Sequence, residues 1–301
     1  MGAISSTPQK PCSFVTWVNN DNYALGALVL GHSLRKVETK HKLHLMYSKG
    51  VSTRMLELLK MVWDEVSSCD IIDSKDENNL KLIQRPELGI TFTKLHCWRL
   101  TQYSKCAFID SDAVVVQNVD DMMNYNEIAA AADMGWPDFF NSGVYVFEPS
   151  EETYRKLLEF ALEHGTFDGG DQGLLNMFFK EWHLEGADHR LSFCYNVCPS
   201  AAYGYKAALK KIGTDIKIVH FMGHHKPWHC NKGVTPMPCF WSLWQSIYHE
   251  KVREHIPAEL YPGPSDEEYE TVLKRGLPDF KQPGSYDNIK DIIRENLHQP
   301  S

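Results

Sequence analysis

Up to about residue 222 the chain alternates short apolar, β-branched runs with amphipathic helical stretches, and few folds accommodate that alternation. Phe14–Val18, Leu43–Tyr47, Glu65–Ile72, Cys106–Ile109, Ala113–Val116, Gly143–Phe147 and Ile216–Phe221 read as buried strands. Thr53–Trp63 places Met55, Leu58, Leu59 and Val62 on one helical face, with Ser52 positioned to cap it. Glu151–His164 repeats the pattern with Tyr154, Leu157, Leu158 and Ala161 and stops at Gly165, and Gly170–Trp182 reads as a third helix. Strands alternating with helices predict an α/β fold, a mixed but mainly parallel sheet flanked by helices on both faces. Ligands of such sheets sit at the carboxyl ends of the strands.

At 301 residues, 43% of them hydrophobic and 23% charged, the chain can bury a large core, which excludes a disordered or fibrous protein. A net charge of −8 disfavours nucleic acid as a partner. Residues 1–10 lack the apolar core of a secretory signal, and the early run Ala24–Leu30 is too short to cross a bilayer. The eight cysteines are thinly spread and form no CxxC pair, as expected of free thiols in a cytoplasmic protein.

Past Lys226 the texture changes. Phe240–Val252 is one more amphipathic helix, carrying Phe240, Leu243, Trp244, Ile247 and Tyr248. Prolines 257, 262, 264, 278 and 283 then punctuate a stretch in which Ser265 and Glu268 fit a capping box and Gly276 a helix end. Residues 285–297 carry an apolar stripe of Ile289, Ile292, Ile293 and Leu297, with Ser285 or Asp287 as cap. Such a helix either packs back on its own domain or docks in another protein's groove. The chain therefore divides into one domain over 12–255, a linker with a short helix over 256–284, and a terminal segment over 285–301.

Four short segments carry chemistry. Cys106–Ile109 is a buried strand ending in Asp110, Ser111 and Asp112, and paired carboxylates after an apolar run call for a compensating cation. His220 ends another strand, and an imidazole added to two carboxylates shifts the preference towards Mn²⁺. Close behind it, Gly223 permits close backbone approach and Lys226 supplies charge for a phosphate. Asp168–Gly169–Gly170–Asp171–Gln172 opens a helix, where the acids either cap it or orient a polyhydroxyl ligand. Asn141–Ser142–Gly143 is either a plain turn or a source of amide contacts to sugar hydroxyls. A zinc site from His220, His224, His225, His229 and Cys230 competes with this reading but lacks a C-x₂-C half-site. GxGxxG, GxxxxGK[ST] and GxSxG are all missing from the sequence.

Taken together, FVTWVNNDNYALGALVLGHSL, RPELGITFTKLHCWRLTQYSKCAFIDSD, GWPDFFNSGVYVFEPSEETY, FDGGDQGLLN and KIVHFMGHHKPW closely resemble the glycogenin family of retaining glycosyltransferases. The resemblance covers nearly the whole chain and implies a single GT-A domain with a Rossmann-like sheet and a C-terminal tail helix. It implies UDP-glucose as donor, Mn²⁺ as cofactor, and transfer of glucose to the protein's own tyrosine, extended as an α-1,4-glucan for glycogen synthase. By motif match, Asp110, Asp112 and His220 would hold the metal. Trp17, Asn19, Asn20, Tyr23 and Arg85 would line the nucleotide. Lys94, Asn141, Ser142, Asp168, Asp171 and Gln172 would face the sugar, while Ser111 lies within the acidic motif, and Gly223 and Lys226 would contact the diphosphate. Asp171 is the expected stabiliser of the reacting carbon, with Lys94 and Asp168 beside it in the catalytic set. Tyr203 aligns with the acceptor, Tyr205 being the alternative. Residues 285–301 resemble the synthase-binding segment, and the family suggests a homodimer. Two other readings stay open: a transferase of this fold acting on a free acceptor, and a catalytically silent scaffold that recruits the synthase.

Overall fold

The protein is described by a computed structural model covering residues 10–199, 205–228, 238–256, 260, 266–274 and 278–298. A six-stranded sheet forms its centre, in the order β3-β2-β1-β4-β7-β6. Its strands are β1 (Cys12–Val18), β2 (Lys42–Tyr47), β3 (Glu65–Ser68), β4 (Lys105–Ile109), β6 (Ala129–Ala132) and β7 (Phe140–Phe147). The pairings β3–β2, β2–β1 and β1–β4 are parallel, whereas β7 joins both β4 and β6 antiparallel. The sheet is thus mixed and mainly parallel, as the alternation of elements predicts. β5 (Ala113–Val115) and β8 (Ile218–His220) form a separate antiparallel pair.

The described α-helices are α1 (Asp21–Lys36), α2 (Thr53–Val62), α3 (Glu77–Leu82), α4 (Glu151–His164), α5 (Asp171–Phe178), α6 (Lys206–Ile212), α7 (Pro238–Lys251), α8 (Asp266–Lys274) and α9 (Ser285–His298). Two hydrophobic clusters line the faces of the sheet. One joins β1 and β2 to α1, α2, α7 and α9, and the other packs Trp98, Phe108, Tyr145 and Phe147 beneath α4 and α5. Ser52 and Ser150 cap α2 and α4 by accepting from the amides of Met55 and Thr153.

Several boundaries differ from the expectation. β3 stops at Ser68, α5 stops at Phe178, and β7 begins three residues early, at Phe140. α1 and β6 carry no clear sequence signal. Ala24 through Gly31 of α1 are all buried, so no polar face marks the helical period, and β6 is Ala-Ala-Ala-Ala, a composition with little strand preference. Pro86–Arg99 coils in 3₁₀ turns. There the hydroxyls of Thr91 and Thr93 take the carbonyls of Leu88 and Ile90, three residues back, in competition with regular helix.

The terminal segment packs back on its own domain. Tyr286, Ile289 and Ile293 of α9 are buried against their own domain, with contacts to α7. The Tyr286 hydroxyl donates to the Val115 carbonyl of β5 at 3.4 Å. Around α8, Asp266–Lys274 is helical, while Ser265 and Gly276 lie outside the described residues. No disulfide joins the described cysteines, and no described helix is long and apolar enough to cross a membrane.

Candidate active site

The carboxyl ends of β1 and β4 and the start of β7 open on one side of the sheet, over a cavity of about 730 Å³. Strand register assembles its acidic centre. Asp110 follows β4 directly, and its amide donates to the Gly143 carbonyl of β7 at 2.8 Å. Asp112 enters β5, whose Ala113 pairs with His220 of β8, so His220 is carried beside both carboxylates. His220 Nε2 lies 3.2 Å from Asp112 Oδ1 and 3.8 Å from Asp110 Oδ2. Gly143 makes room for this, because a Cβ there would overlap the His220 ring. Gly26 likewise lets α1 press against the Ser111 carbonyl, which a Cβ would strike.

One ligand atom from each of Asp110, Asp112 and His220 falls within a 4.8 Å span. Among the described residues these three alone form such a group of His, Cys, Asp or Glu. His224 and His225 take no part in it, and His229 and Cys230 lie outside the described residues. The donor chemistry fits a divalent cation. His220 Nδ1 donates to Asn196 Oδ1 at 2.9 Å, with the amide assigned from its network, since Asn196 Nδ2 donates to Asn141 Oδ1 at 2.8 Å. Nε2 is thereby left facing the two carboxylates, where it can serve the same cation.

Two lysines flank the acids. Lys226 ion-pairs with Asp112 and donates to the Phe221 carbonyl at 3.0 Å. Lys94 lies between Asp110, at 2.8 Å, and Asp171, at 3.1 Å. Burial pushes the Asp112 carboxyl up, but Lys226 and His220 overcome this and hold it well below the usual carboxylate range. Burial also dominates at Asp110; there Lys94 does not offset it, and the net shift is upward. Lys94, buried but between two acids, is held above the ordinary lysine value.

The residues expected to face a sugar form a tight polar cluster. Asn141 Nδ2 donates to Asp133 Oδ2 and to Gln172 Oε1, each at 3.0 Å, and the Ser142 amide donates to the same Gln172 oxygen at 3.2 Å. Asp171 opens α5, and its buried Oδ2 has the Lys94 ammonium, 3.1 Å away, as its close partner. Asp168 accepts from the amides of Gly170 and Gly173 and from the Thr166 hydroxyl, which makes it a cap for the loop and the start of α5. Asn20 caps α1 by accepting from the Tyr23 amide at 3.1 Å. Trp17, Asn19, Asn20, Tyr23, Arg85, Ser111, Gly223 and the other expected site residues within the described chain all line this cavity. Tyr203 lies outside the described residues, and Tyr205, 71% exposed before α6, is not in the lining. Sequence reasoning missed Asp133, Asn196 and the rim aromatics Trp136, Phe139 and Phe167. For Asp133 the one local signal is Asp-x-Gly, since its Oδ1 accepts from the Gly135 amide at 2.7 Å. Asn196 gives none, because its partners are 24 and 55 residues away.

Residues 15–232 match the profile of glycosyl transferase family 8. Glycogenin-1 of Caenorhabditis elegans is 51% identical over 255 residues, covering 83% of this chain and 59% of its own length. Glycogenin-1 of Oryctolagus cuniculus is 41% identical over 321 residues, covering 92% of this chain and 96% of its own. Among solved structures, the galactosyltransferase LgtC in complex with donor and acceptor sugar analogues superposes with a TM-score of 0.56 at 18% identity, covering 82% of this chain and 98% of that one. GlyE of Streptococcus pneumoniae gives 0.54 at 20% identity, over 85% and 65% of the two chains. These likenesses establish a GT-A fold.

Proposed function

The chain belongs to glycosyl transferase family 8, in its glycogenin group, and from that premise we propose that it is a self-glucosylating primer of glycogen. In this reading it transfers glucose from UDP-glucose to Tyr203, extends a short α-1,4-glucan, and presents it to glycogen synthase. One observation carries the reading: the Asp110, Asp112 and His220 group shares a cavity with Lys226 on one side and the Lys94–Asp171 pair on the other. That is the arrangement needed to stabilise a departing diphosphate at one end and an electron-poor sugar carbon at the other.

Asp110, Asp112 and His220 would hold a divalent cation, Mn²⁺ in this reading, which would supply charge neutralisation for the leaving group. Lys226, now paired with Asp112, is placed to turn its ammonium to the diphosphate. Asp171, ion-paired with Lys94, faces the sugar in this reading, and its negative charge stabilises the oxocarbenium character at C1. Lys94 holds Asp171 and Asp110 in one array. The bond from C1 to the diphosphate oxygen breaks, its electron pair leaving with UDP, while the acceptor oxygen bonds to C1. The acceptor proton passes to the departing phosphate, which answers the weak acidity of tyrosine near neutral pH. The Asn141–Gln172–Asp133 cluster orients the glucose hydroxyls.

The segment 285–301 remains the proposed contact for the synthase, with Asp287, Asp291 and Arg294 on the exposed face of α9 available to it. Dimerisation and a cytoplasmic location belong to the same reading. The proposal is tested by replacing Asp110 or Asp112 with Asn. Each variant should keep its circular dichroism and lose glucose transfer by at least 100-fold. Near-wild-type transfer in both would remove the metal assignment and with it the mechanism.

A further inference from the structure

At the sugar end of the cavity the lip is formed by three exposed aromatic side chains. Trp136 is 60% exposed, Phe167 44% and Phe139 37%. Phe139 and Phe167 stack at 5.0 Å and 26°, and Trp136 stands 6.4 Å from Phe139. The same three side chains also border a second, open groove of about 570 Å³ on the outer side of the lip. Beyond them this groove runs over Phe160 and Met177, with Asp138, Lys180 and His183 along it. Contiguous exposed aromatics are unfavourable in water unless something covers them. Nothing described so far in the site explains why three of them stand together.

We propose that this groove is a docking subsite for an α-glucan, which holds the chain outside the cavity while its end is extended inside; the proposal rests on the transferase reading above. A pyranose ring presents an apolar C–H face and an edge of hydroxyls. Flat aromatic faces with polar side chains along the border match both surfaces, whereas a protein partner of the usual kind would meet a more continuous apolar core. Continuity supplies the second reason. A product that lengthens at every cycle has to leave the cavity, and the three lip residues are common to the cavity and the groove. The polar groups along the groove are the acid Asp138, the amine of Lys180, the amide of Asn176 and the imidazoles of His164 and His183, which can donate to and accept from hydroxyls without demanding a charged ligand.

The probe is maltohexaose, titrated calorimetrically into the full chain saturated with UDP and Mn²⁺. Binding in the millimolar range or tighter is expected while UDP remains bound. Trp136→Ala and Phe167→Ala should each weaken it at least tenfold, and Trp136→Tyr should recover most of the loss, which a merely structural role would not predict. Mutual displacement of maltohexaose and UDP would overturn the groove by placing the sugar in the donor cavity. Wild-type affinity in both alanine variants would overturn it as well. Glucose transfer from UDP-glucose without maltohexaose binding would overturn the groove and leave the transferase reading intact. Maltohexaose binding that depends on Trp136, without any glucose transfer, would support the groove and sink the transferase reading instead.

Discussion

At the scale of single residues, Asn196 carries more of the site than its sequence context suggests. It is buried between His220 and Asn141 and hydrogen-bonds to both, joining the Asp110–Asp112–His220 group to the Asn141–Gln172–Asp133 cluster. Asn196→Leu removes both bonds and should lower Mn²⁺ affinity by about 10- to 100-fold, the usual effect of losing the partner of a ligating imidazole. Asn196→Asp still accepts from His220 but turns a second oxygen towards Asn141 Oδ1. It should hold Mn²⁺ within a few-fold of wild type while weakening UDP-glucose binding. Titrating Mn²⁺ by electron paramagnetic resonance and UDP-glucose by calorimetry separates the two effects, and equal losses in both variants would show that Asn196 is only a packing residue. The Asp110–Asp112–His220 group itself was legible in the chain, because Asp110 and His220 each end an apolar run and Asp112 follows Asp110 by two residues. Asn196, Asp133 and the aromatic lip were not, since their significance lies in contacts far apart in sequence. Asp168 read as a cap or a sugar ligand; it makes the cap through the Gly170 and Gly173 amides and it also lines the cavity.

At the scale of elements, α9 shows what periodicity can and cannot say. Its stripe predicts an amphipathic helix, but the surface that receives it is not written in the stripe. The structure seats Tyr286, Ile289 and Ile293 on the domain itself, with Tyr286 bonded to β5 three residues beyond Asp112. Ile289→Ala should therefore cost about 2–5 kcal/mol of stability, the range for truncating a fully buried aliphatic side chain. Urea unfolding measures it, and a change below 0.5 kcal/mol, on the order of a surface substitution, would mean that α9 is not seated in solution. A synthase that used the same stripe would have to displace α9 first. Strands β1, β2 and β4 were legible because burial on both faces leaves continuous apolar runs, whereas the all-alanine β6 and the evenly buried α1 offer no period to read.

At the scale of the whole molecule, neutral half-buried imidazoles set a pH limit on the fold. Burial pushes His32 and His249 down to about 4 from an ordinary value of 6.5. The unfolded chain takes up these protons first on acidification. The stabilisation is therefore complete above about pH 6.5 and is lost as pH falls towards 4. The urea midpoint should drop between pH 7 and pH 4.5, and the double variant His32→Gln/His249→Gln should flatten that slope; an unaltered slope would place the acid sensitivity elsewhere. The most direct measurement of function is intact mass over time, on protein stripped of glucan and given UDP-glucose with Mn²⁺, beside Tyr203→Phe. A ladder of hexose-sized steps in the wild type, lost in the variant, is the predicted result. A wild type that binds the nucleotide but gains no hexose would contradict the reading of this protein as its own first acceptor.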